Sequence, residues 1–411
     1  MREMKDSGIE WIGEIANTHK LVRLKYVAEI LDEYRKPVTA QYRNQNADIL
    51  YDYYGASGII DKIDGYTIDD HVMLIGEDGA NLKLRNLPLM YEVCGKAWIN
   101  NHAHILKPMK NMDFYYLFYA LEALDINNYI TGSAQPKLNQ ENLKEILIPL
   151  PSYEVQKKVS SYLDTKCSEI DATVEDIQKE ITLLEDYKKS VITEAVTKGL
   201  NPDAEMKDSK IFYLGKINKT WNLTKVGYCC KKLYRPFEPS DEALVCSNKG
   251  KVVPRGDTLI GLMTSDDNAM QGICKGDIAI HGMDTWHGAI ACSDYDGKIT
   301  RVVHVCKADG DNRFVVYWLQ HLAFVGVYKL ISNGVRGNTS DFRSWDKVAD
   351  IYVPNPIKEE QQQIADFLDS KCSEIDSLIA DKKRQLDILA DYKKSLIYEY
   401  VTGKKEVPVN E

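Results

Sequence analysis

The stretch "LDTKCSEIDATVEDIQKEITLLEDYKKSVITEAVT", residues 163–197, returns 205 residues later as "LDSKCSEIDSLIADKKRQLDILADYKKSLIYEYVT", residues 368–402. Aligned without a gap, the two copies are identical at 19 of 35 positions. A second repeat lies upstream of each copy, as "MKDSGIEWIGEI" at 4–15 and "MKDSKIFYLGKI" at 206–217. Internal repeats indicate repeated architecture. The sequence therefore predicts two halves, each with a matching head segment and a matching tail.

Each tail predicts a long helix with a coiled-coil seam, because its apolar residues alternate in steps of four and three. Two surface helices, each packed on its own domain, would also fit this pattern. Matched seams in one chain are more simply satisfied when the two helices pack against each other. The predicted seam consists chiefly of Leu163, Ile170, Val174, Ile177, Ile181, Leu184, Leu368, Ile375, Ile379, Leu386, Leu389 and Leu396. It also includes Cys167, Val191, Ala195, Cys372 and Tyr400. Three lysines interrupt it: Lys188, Lys382 and Lys393.

The segments between the repeated head and tail differ between the halves and predict strand-rich inserts. Short β-branched and aromatic runs alternate there with Gly, Asp and Asn turns, as in hairpins. "MDFYYLFYALEAL" and "NRFVVYWLQHLAFV" predict one buried helix in each insert. Proline pairs before both tails end the upstream strand and allow a helix to begin. We predict an α+β fold with domains at 1–148 and 201–353 and long helices within 149–200 and 354–411.

The composition restricts compartment and partners. The 411 residues are 44% hydrophobic and 27% charged, without an apolar run long enough for a membrane span or a signal peptide, so we expect a cytoplasmic protein. Nine cysteines without a CxxC pair predict reduced thiols. The net charge of -9 argues at first against a nucleic-acid partner, because phosphate contacts need lysine and arginine. By segment, only residues 201–353 carry a positive balance, of +2 (20 basic and 18 acidic side chains).

No catalytic motif is recognisable in the sequence. A DNA methyltransferase needs a glycine-rich cofactor loop and an Asn/Asp-Pro-Pro-aromatic segment, and a P-loop needs GxxxxGK[ST]; none occurs. His102 and His104 would share one face of a strand and could hold a metal, but no third ligand lies nearby in sequence, so polar or DNA-facing histidines are the preferred interpretation. We therefore predict a chain without catalytic, cofactor or metal sites.

Two glycine-bearing stretches have the composition of recognition loops. "LYDYYGASGIIDKIDGY" interleaves tyrosines with small residues, and "NGVRGNTSDFRSW" offers Arg, Asn, Thr and Ser. Arg and Lys can bind guanine edges, Asn and Gln bind adenine edges, and Ser and Thr bind either. Ordinary polar turns remain the alternative for any single residue.

With these residues in view, the chain resembles the specificity subunit of a type I restriction-modification system along nearly its whole length. The resemblance rests on the head segment "KDSGIEWIGEI", on "YYGASGIIDKIDGY", "IGEDGANL" and "WINNHAHILKP", on "GDIAIHGMDTWHGAIACSDYDG", and on the tail "TGSAQPKLNQENLKEILIPLPSYEVQKKV". The second half departs from the pattern, with Ser340 where Gln135 stands and "VPNP" for "IPLP".

The resemblance implies a non-catalytic subunit with two target recognition domains, each of which reads one half of a split DNA sequence. The two long helices would pack antiparallel and dock two modification subunits, which carry S-adenosylmethionine and methylate adenine; restriction subunits can join them. The alternative is a coiled-coil adaptor that joins proteins without touching DNA. The predicted DNA-binding residues are Tyr54, Ser57, Lys62, Asn101, His102, His104, Lys107, Ser133, Gln135, Lys137, Trp286, Arg336, Asn338, Thr339 and Arg343.

Overall fold

Two compact units make up the chain. The computed structural model describes residues 3–10, 12–43, 48–132, 135–256, 267–332 and 340–408. The first unit is Met1–Ile177 together with Arg384–Glu411, and the second unit is Gln178–Lys383. Both divisions fall inside the long helices rather than at the domain boundaries predicted from the sequence. Each unit therefore contains part of both helices.

The two tails form continuous helices, Tyr153–Lys198 of 46 residues and Lys358–Val401 of 44 residues. Neither contains proline or glycine, which would interrupt the helical hydrogen bonds or loosen the backbone. All predicted seam residues are buried or half-buried, whereas most of their helical neighbours are exposed.

No helix in the described ranges is long and apolar enough to cross a membrane.

The two helices pair antiparallel in each unit. In the first unit Lys393 Nζ lies 2.6 Å from a carboxylate oxygen of Asp171, and in the second unit Lys188 Nζ lies 2.6 Å from Asp376. The rings of Tyr162 and Tyr400 also meet in the first unit, with centroids 4.7 Å apart, and Lys382 pairs with Glu180 in the second. Within each unit the residue number therefore rises along one helix as it falls along the other, which defines an antiparallel pair. Both ion pairs are related by the 205-residue offset of the repeat. Lys188 and Lys393, which interrupt the apolar seam, thus each pair with a carboxylate of the other long helix.

The halves of each helix have different neighbours. The core of the first unit contains Leu163, Cys167 and Ile170 of the first helix together with Leu396 and Tyr400 of the second. In the second unit, the corresponding core residues are Leu368 and Cys372 of the second helix with Ile192, Ala195 and Val196 of the first. Each helix therefore packs on the insert before it with its first half and on the other insert with its last turns. The sequence left two alternatives, in which each long helix packs on its own domain or on the other long helix. The structure shows both kinds of contact.

The first unit is built on one six-stranded sheet. Two short antiparallel pairs accompany it, namely the head-segment strands Met4–Asp6 and Glu14–Ala16 and the pair Lys20–Arg23 with Leu147–Leu150. In spatial order the sheet strands are Ala28–Ile30, Ala103–Pro108, Ile68–Gly76, Met90–Ile99, Tyr51–Gly55 and Gly58–Ile63. The α-helices are Asn81–Leu84, Phe114–Ala123 and Gln140–Glu145, and the 3₁₀ turns are Leu24–Tyr26, Asp32–Tyr34, Ala40–Tyr42 and Asn127–Tyr129.

The second unit contains two four-stranded sheets. Its head-segment pair is Met206–Asp208 with Lys216–Asn218, and Asn222–Lys225 pairs with Tyr352–Asn355. One sheet has the order Cys230–Lys232, Val303–Ala308, Ile278–His281, Ile290–Cys292; the other has the order Lys251–Pro254, Ala243–Ser247, Gly297–Thr300, Met270–Ile273. The helices are Val226–Cys229, Asn312–Phe324, Val327–Ile331 and Trp345–Ala349, with 3₁₀ turns at Asp267–Ala269 and Thr285–His287.

Three strands correspond between the dissimilar inserts. In the first unit Ala103–Pro108 lies between Ala28–Ile30 and Ile68–Gly76, and in the second unit Val303–Ala308 lies between Cys230–Lys232 and Ile278–His281. The registers agree, because Ile75 pairs with His104 as Ile280 pairs with His304. A common three-stranded frame, not visible in the sequence, therefore supports both inserts.

A buried glutamine joins each long helix to the helix of its insert. Gln156 accepts a hydrogen bond from the Asp113 N–H and donates one to the Pro151 carbonyl oxygen. Gln361 makes the same two bonds, with the Asp311 N–H at 3.0 Å and the Pro356 carbonyl oxygen at 2.9 Å. Asp113 and Asp311 are the N-caps of the insert helices Phe114–Ala123 and Asn312–Phe324.

We expect Gln361→Ala to lower the free energy of unfolding by about 1–3 kcal/mol, because it leaves a half-buried N–H and a buried carbonyl without these partners. The matched control is Gln362→Ala, which removes the same side chain from the neighbouring exposed position of the same helix. Urea unfolding followed by circular dichroism measures both variants. Equal stability of the two variants would contradict the assigned role of Gln361.

Candidate nucleic-acid interface

Four turns of the first unit converge at one end of its six-stranded sheet. The Asn100 N–H donates to the Tyr54 carbonyl oxygen, which holds the 100–102 turn beside the turn after Tyr54. The Glu77 N–H donates to the His102 carbonyl oxygen, and the Gly79 N–H donates to that of Pro136. These bonds collect the turns at 55–58, 77–79 and 100–102 and the loop at 131–137. We call this end the loop end of the first unit.

Gly132 is required at the base of that loop. Its φ is +81°, a conformation that residues with a Cβ rarely adopt. A Cβ there would also lie 2.3 Å from the carbonyl oxygen of Gln135. Two backbone hydrogen bonds between Thr131 and Lys137 then close the loop. The glycine of "TGSAQP" thus permits the tight turn that presents Gln135 to solvent.

A polar network lies directly beneath the loop end. Arg35 bridges Asp32 and Glu77 at N···O distances of 3.1 and 2.5 Å. Lys137 contacts the other oxygen of Glu77 at 3.0 Å, and His102 contacts Asp78 at 2.7 Å. Burial opposes ionisation of Glu77, but hydrogen bonds from Lys137 and Arg35 outweigh it and lower the pKa of this carboxyl. Glu77 therefore stays ionised and holds Lys137 at the surface.

Asp32 is the buried acceptor of the same network. Its carboxylate accepts hydrogen bonds from the Ile105 N–H and the Gln140 amide, and it faces His104 Nδ1 at 2.7 Å. Burial again acts to raise the pKa, and the bonds with His104 and Ile105 lower it overall. The members of this network are spread over residues 32–140, so spacing along the chain contained no signal for Asp32, Arg35, Glu77 or Gln140.

The structure brings some predicted DNA-binding residues together and separates others. Ser57, Asn101, His102, Gln135 and Lys137 are exposed at the loop end. Ser133 lies outside the described residues.

Tyr54 and His104 are only 8% and 1% exposed, so neither side chain is available for direct contact with DNA. His104 points into the core because it lies on the strand face that packs against Asp32 and the Leu138 carbonyl oxygen.

Lys62 and Lys107 lie away from the loop end. Each is four residues along its strand from the turn, which is about 13 Å at ~3.3 Å per residue. Lys62 pairs with Asp52 at 2.8 Å and Lys107 pairs with Asp70 at 2.5 Å. The residue types of Lys62 and Lys107 did not specify at which end of the sheet their side chains lie.

The second unit has a corresponding loop end. The Gly282 N–H donates to the Val302 carbonyl oxygen, and the Phe342 N–H donates to the Gly282 carbonyl oxygen. The first unit has the same two bonds, from the Glu77 N–H to the His102 carbonyl oxygen and from the Leu138 N–H to the Glu77 carbonyl oxygen. Phe342 therefore corresponds to Leu138, and Ser340 corresponds to Pro136 rather than to Gln135.

The other predicted residues of the second unit are placed as follows. Arg343 is exposed beside Gly282. Trp286 is half-buried, with its backbone N–H donating to Ser340 Oγ at 3.0 Å and its indole N–H to Ser332 Oγ at 3.1 Å, so it holds both serines in place. Arg336, Asn338 and Thr339 lie outside the described residues.

The second unit also has a cleft of about 610 Å³, lined by Lys232, Tyr234, Arg235, Pro236, Phe237, Met270, Gln271, Arg301, Val303 and His304. Three of these residues are cationic, and Arg235 is held by Asp277 at 2.5 Å. Lys232 Nζ lies 5.1 Å from the ring centre of Tyr234, whose side chain is 80% exposed. Cations next to an exposed aromatic ring are suited to nucleic acid, because they contact phosphate and a base can stack on the ring. No motif in the sequence indicated this cleft.

Within the described ranges, no group of three His, Cys, Asp or Glu side chains is arranged to hold a metal ion. His102 and His104 instead have carboxylate partners in Asp78 and Asp32.

Comparison with known proteins gives a consistent picture. A family profile described as "Type I restriction modification DNA specificity domain" matches residues 17–183. The type I restriction enzyme specificity subunit S.HindORF215P of Haemophilus influenzae is 33% identical over 141 residues, which cover 34% of this chain and 35% of that protein. The alignment thus spans about a third of that relative.

Longer similarity extends to the MjaX type I restriction enzyme specificity subunit of Methanocaldococcus jannaschii, 27% identical over 94% of this chain and 84% of that protein. Among solved structures, a chain from work on complex assembly and conformational transition of the type I R-M system superposes with a TM-score of 0.66 at 13% identity. That superposition covers 95% of this chain and 99% of the other. It is a likeness of fold.

Proposed function

The chain belongs to the specificity subunits of type I restriction-modification systems, and from that premise we propose that each unit reads one half of a bipartite DNA sequence. The observation that carries this proposal is the repeated loop end, in which exposed polar side chains stand on the same three-stranded frame in both units. The inserts around that frame differ in sequence, which is what two unlike half-sites require. The alternative, an adaptor that never touches DNA, gives no reason for this repeated polar end.

In the proposed interface, Asn101, His102, Gln135 and Lys137 of the first unit face the duplex, and Arg343 does so in the second. Asn and Gln can pair with adenine, and Arg with guanine, through two hydrogen bonds in the major groove. Lys232 and Arg301 in the cleft of the second unit are assigned to phosphate. Because the whole chain carries a net charge of -9, much of the remaining phosphate contact is assigned to partner subunits.

The subunit acts by positioning rather than by chemistry. We assign methyl transfer to adenine, and the S-adenosylmethionine that supplies the methyl group, to modification subunits bound to this chain in the cytoplasm. Restriction subunits would join the same assembly. The side chains of this chain then determine which adenine is presented. Labelled methyl transfer by the purified chain alone would contradict the non-catalytic assignment.

Two exposed apolar pairs on the long helices are the proposed docking points for two modification subunits. Leu183 and Tyr187 are 67% and 56% exposed in the second unit, and their repeat counterparts Ile388 and Tyr392 are 67% and 54% exposed in the first. Residues four apart share one helix face. Two similar patches, related by the 205-residue offset, are suited to two copies of one partner.

For DNA binding by the complex with modification subunits, we expect Lys137→Gln to reduce the slope of log K against log salt by about 1, because one phosphate contact is lost. Lys107→Gln is the matched control, since this lysine is also ion-paired and partly exposed but lies away from the loop end. Fluorescence anisotropy over a salt series measures the slope. Binding of DNA by the wild-type complex no tighter than by the modification subunits alone would favour the adaptor, and equal effects of both variants would contradict the placement of the interface.

Leu183→Lys with Tyr187→Lys should reduce the number of bound modification subunits from two to one. Ile388→Lys with Tyr392→Lys should do the same, and all four changes together should abolish binding, because a lysine in each apolar contact must be desolvated. Native mass spectrometry gives the stoichiometry. Gln178→Lys with Thr182→Lys, at the same spacing on exposed positions, should keep two partners. Retention of both partners by the fourfold variant would rule out these patches.

A further inference from the structure

A buried histidine makes the same contact at the base of the recognition segment in both units. His104 Nε2 lies 2.8 Å from the carbonyl oxygen of Leu138, and His304 Nε2 lies 2.8 Å from that of Phe342. The two histidines are 1% and 3% exposed. A carbonyl oxygen only accepts hydrogen bonds, so Nε2 carries the proton and donates in each unit.

We call residues 135–138 and 340–343 the recognition segments of the two units, and the residues that receive these bonds are their most deeply buried members. Leu138 follows Gln135 and Lys137 within three residues, and Phe342 immediately precedes Arg343. Both are buried and also bonded through their N–H groups, to the carbonyl oxygens of Glu77 and Gly282. With the imidazole on the carbonyl, both polar backbone groups of the residue are fixed to the sheet.

The surroundings of the two imidazoles differ. His104 Nδ1 faces the Asp32 carboxylate at 2.7 Å, so both ring nitrogens of His104 lie against acceptor atoms. The ring of His304 packs against that of Trp345, with centroids 5.7 Å apart, and burial lowers its pKa. The Nε2–H donor is common to both rings, whereas the group that the rest of the ring meets is a carboxylate in one unit and an indole in the other. The shared property is therefore the position of one N–H group.

We propose that His104 and His304 are positioning residues for sequence discrimination, each fixing the backbone that carries the base-reading side chains of its own unit. The proposal rests on the DNA-reading function proposed above. A displacement of less than about 1 Å already weakens a hydrogen bond to a base edge. A segment released from its frame therefore loses discrimination between bases more than it loses contact with phosphate. Each histidine should affect one half-site only, because each lies in the core of a single unit.

The experiment compares His304→Gln with His304→Asn in the complex with modification subunits. The glutamine amide can reach the position of Nε2 and donate to Phe342, while the shorter asparagine amide cannot. We measure binding to duplexes that carry the cognate sequence or a single base change in either half-site. The asparagine variant should lose at least tenfold of its discrimination at one half-site and none at the other, with an unchanged salt slope. The glutamine variant should keep most of it.

The same pair of changes at His104 should act on the opposite half-site. Thermal unfolding of each complex shows that the variants are folded. Equal discrimination by the asparagine and glutamine variants, or equal losses at both half-sites, would overturn the positioning role. Failure of the wild-type complex to discriminate any base change would instead overturn the proposed function, so the two failures are distinguishable.

Discussion

The antiparallel pairing of the two long helices is the contact on which both units depend. Neither unit completes its core from one continuous stretch of chain, since each core contains seam residues of both helices. Apolar burial supplies most of the stability of such a seam, and the pairs Lys188–Asp376 and Lys393–Asp171 add register, because a shift along the helices would separate the charges. These pairs are partly exposed, so they contribute more to register than to stability.

The frame of the molecule could be predicted from the sequence better than the interface could. The heptad seam, the two insert helices and the strand-rich inserts are all confirmed, because helical and strand periodicity are local properties of the chain. The common three-stranded frame was not predicted, since strand registers such as Ile75 with His104 depend on contacts between distant residues. For the same reason, the distance of Lys107 from the loop end could not be predicted.

The histidine at 104 shows where reasoning from residue type fails. A histidine two residues from another on a strand suggested a surface pair, yet His102 is exposed and His104 is buried against the carboxylate of Asp32. Its partner lies 72 residues upstream, so neither spacing nor composition could reveal it. In the second unit, the equivalent region is an open cleft with Lys232, Arg235 and Arg301. One frame thus supports a closed ionic network in one unit and an open cationic cleft in the other, so the same architecture can present unlike surfaces.

The two inserts are proposed to read separate half-sites, and exchanging one insert tests this central claim most directly. Residues 218–353 would be replaced by the corresponding insert of a relative such as the MjaX specificity subunit, with both repeated head segments and the long helices left as they are. Methylome sequencing of a host carrying the chimaera and the modification subunits then reports the full recognition sequence. We expect one half-site to change while the other half-site stays the same. A change in both half-sites, or in neither, would contradict the claim.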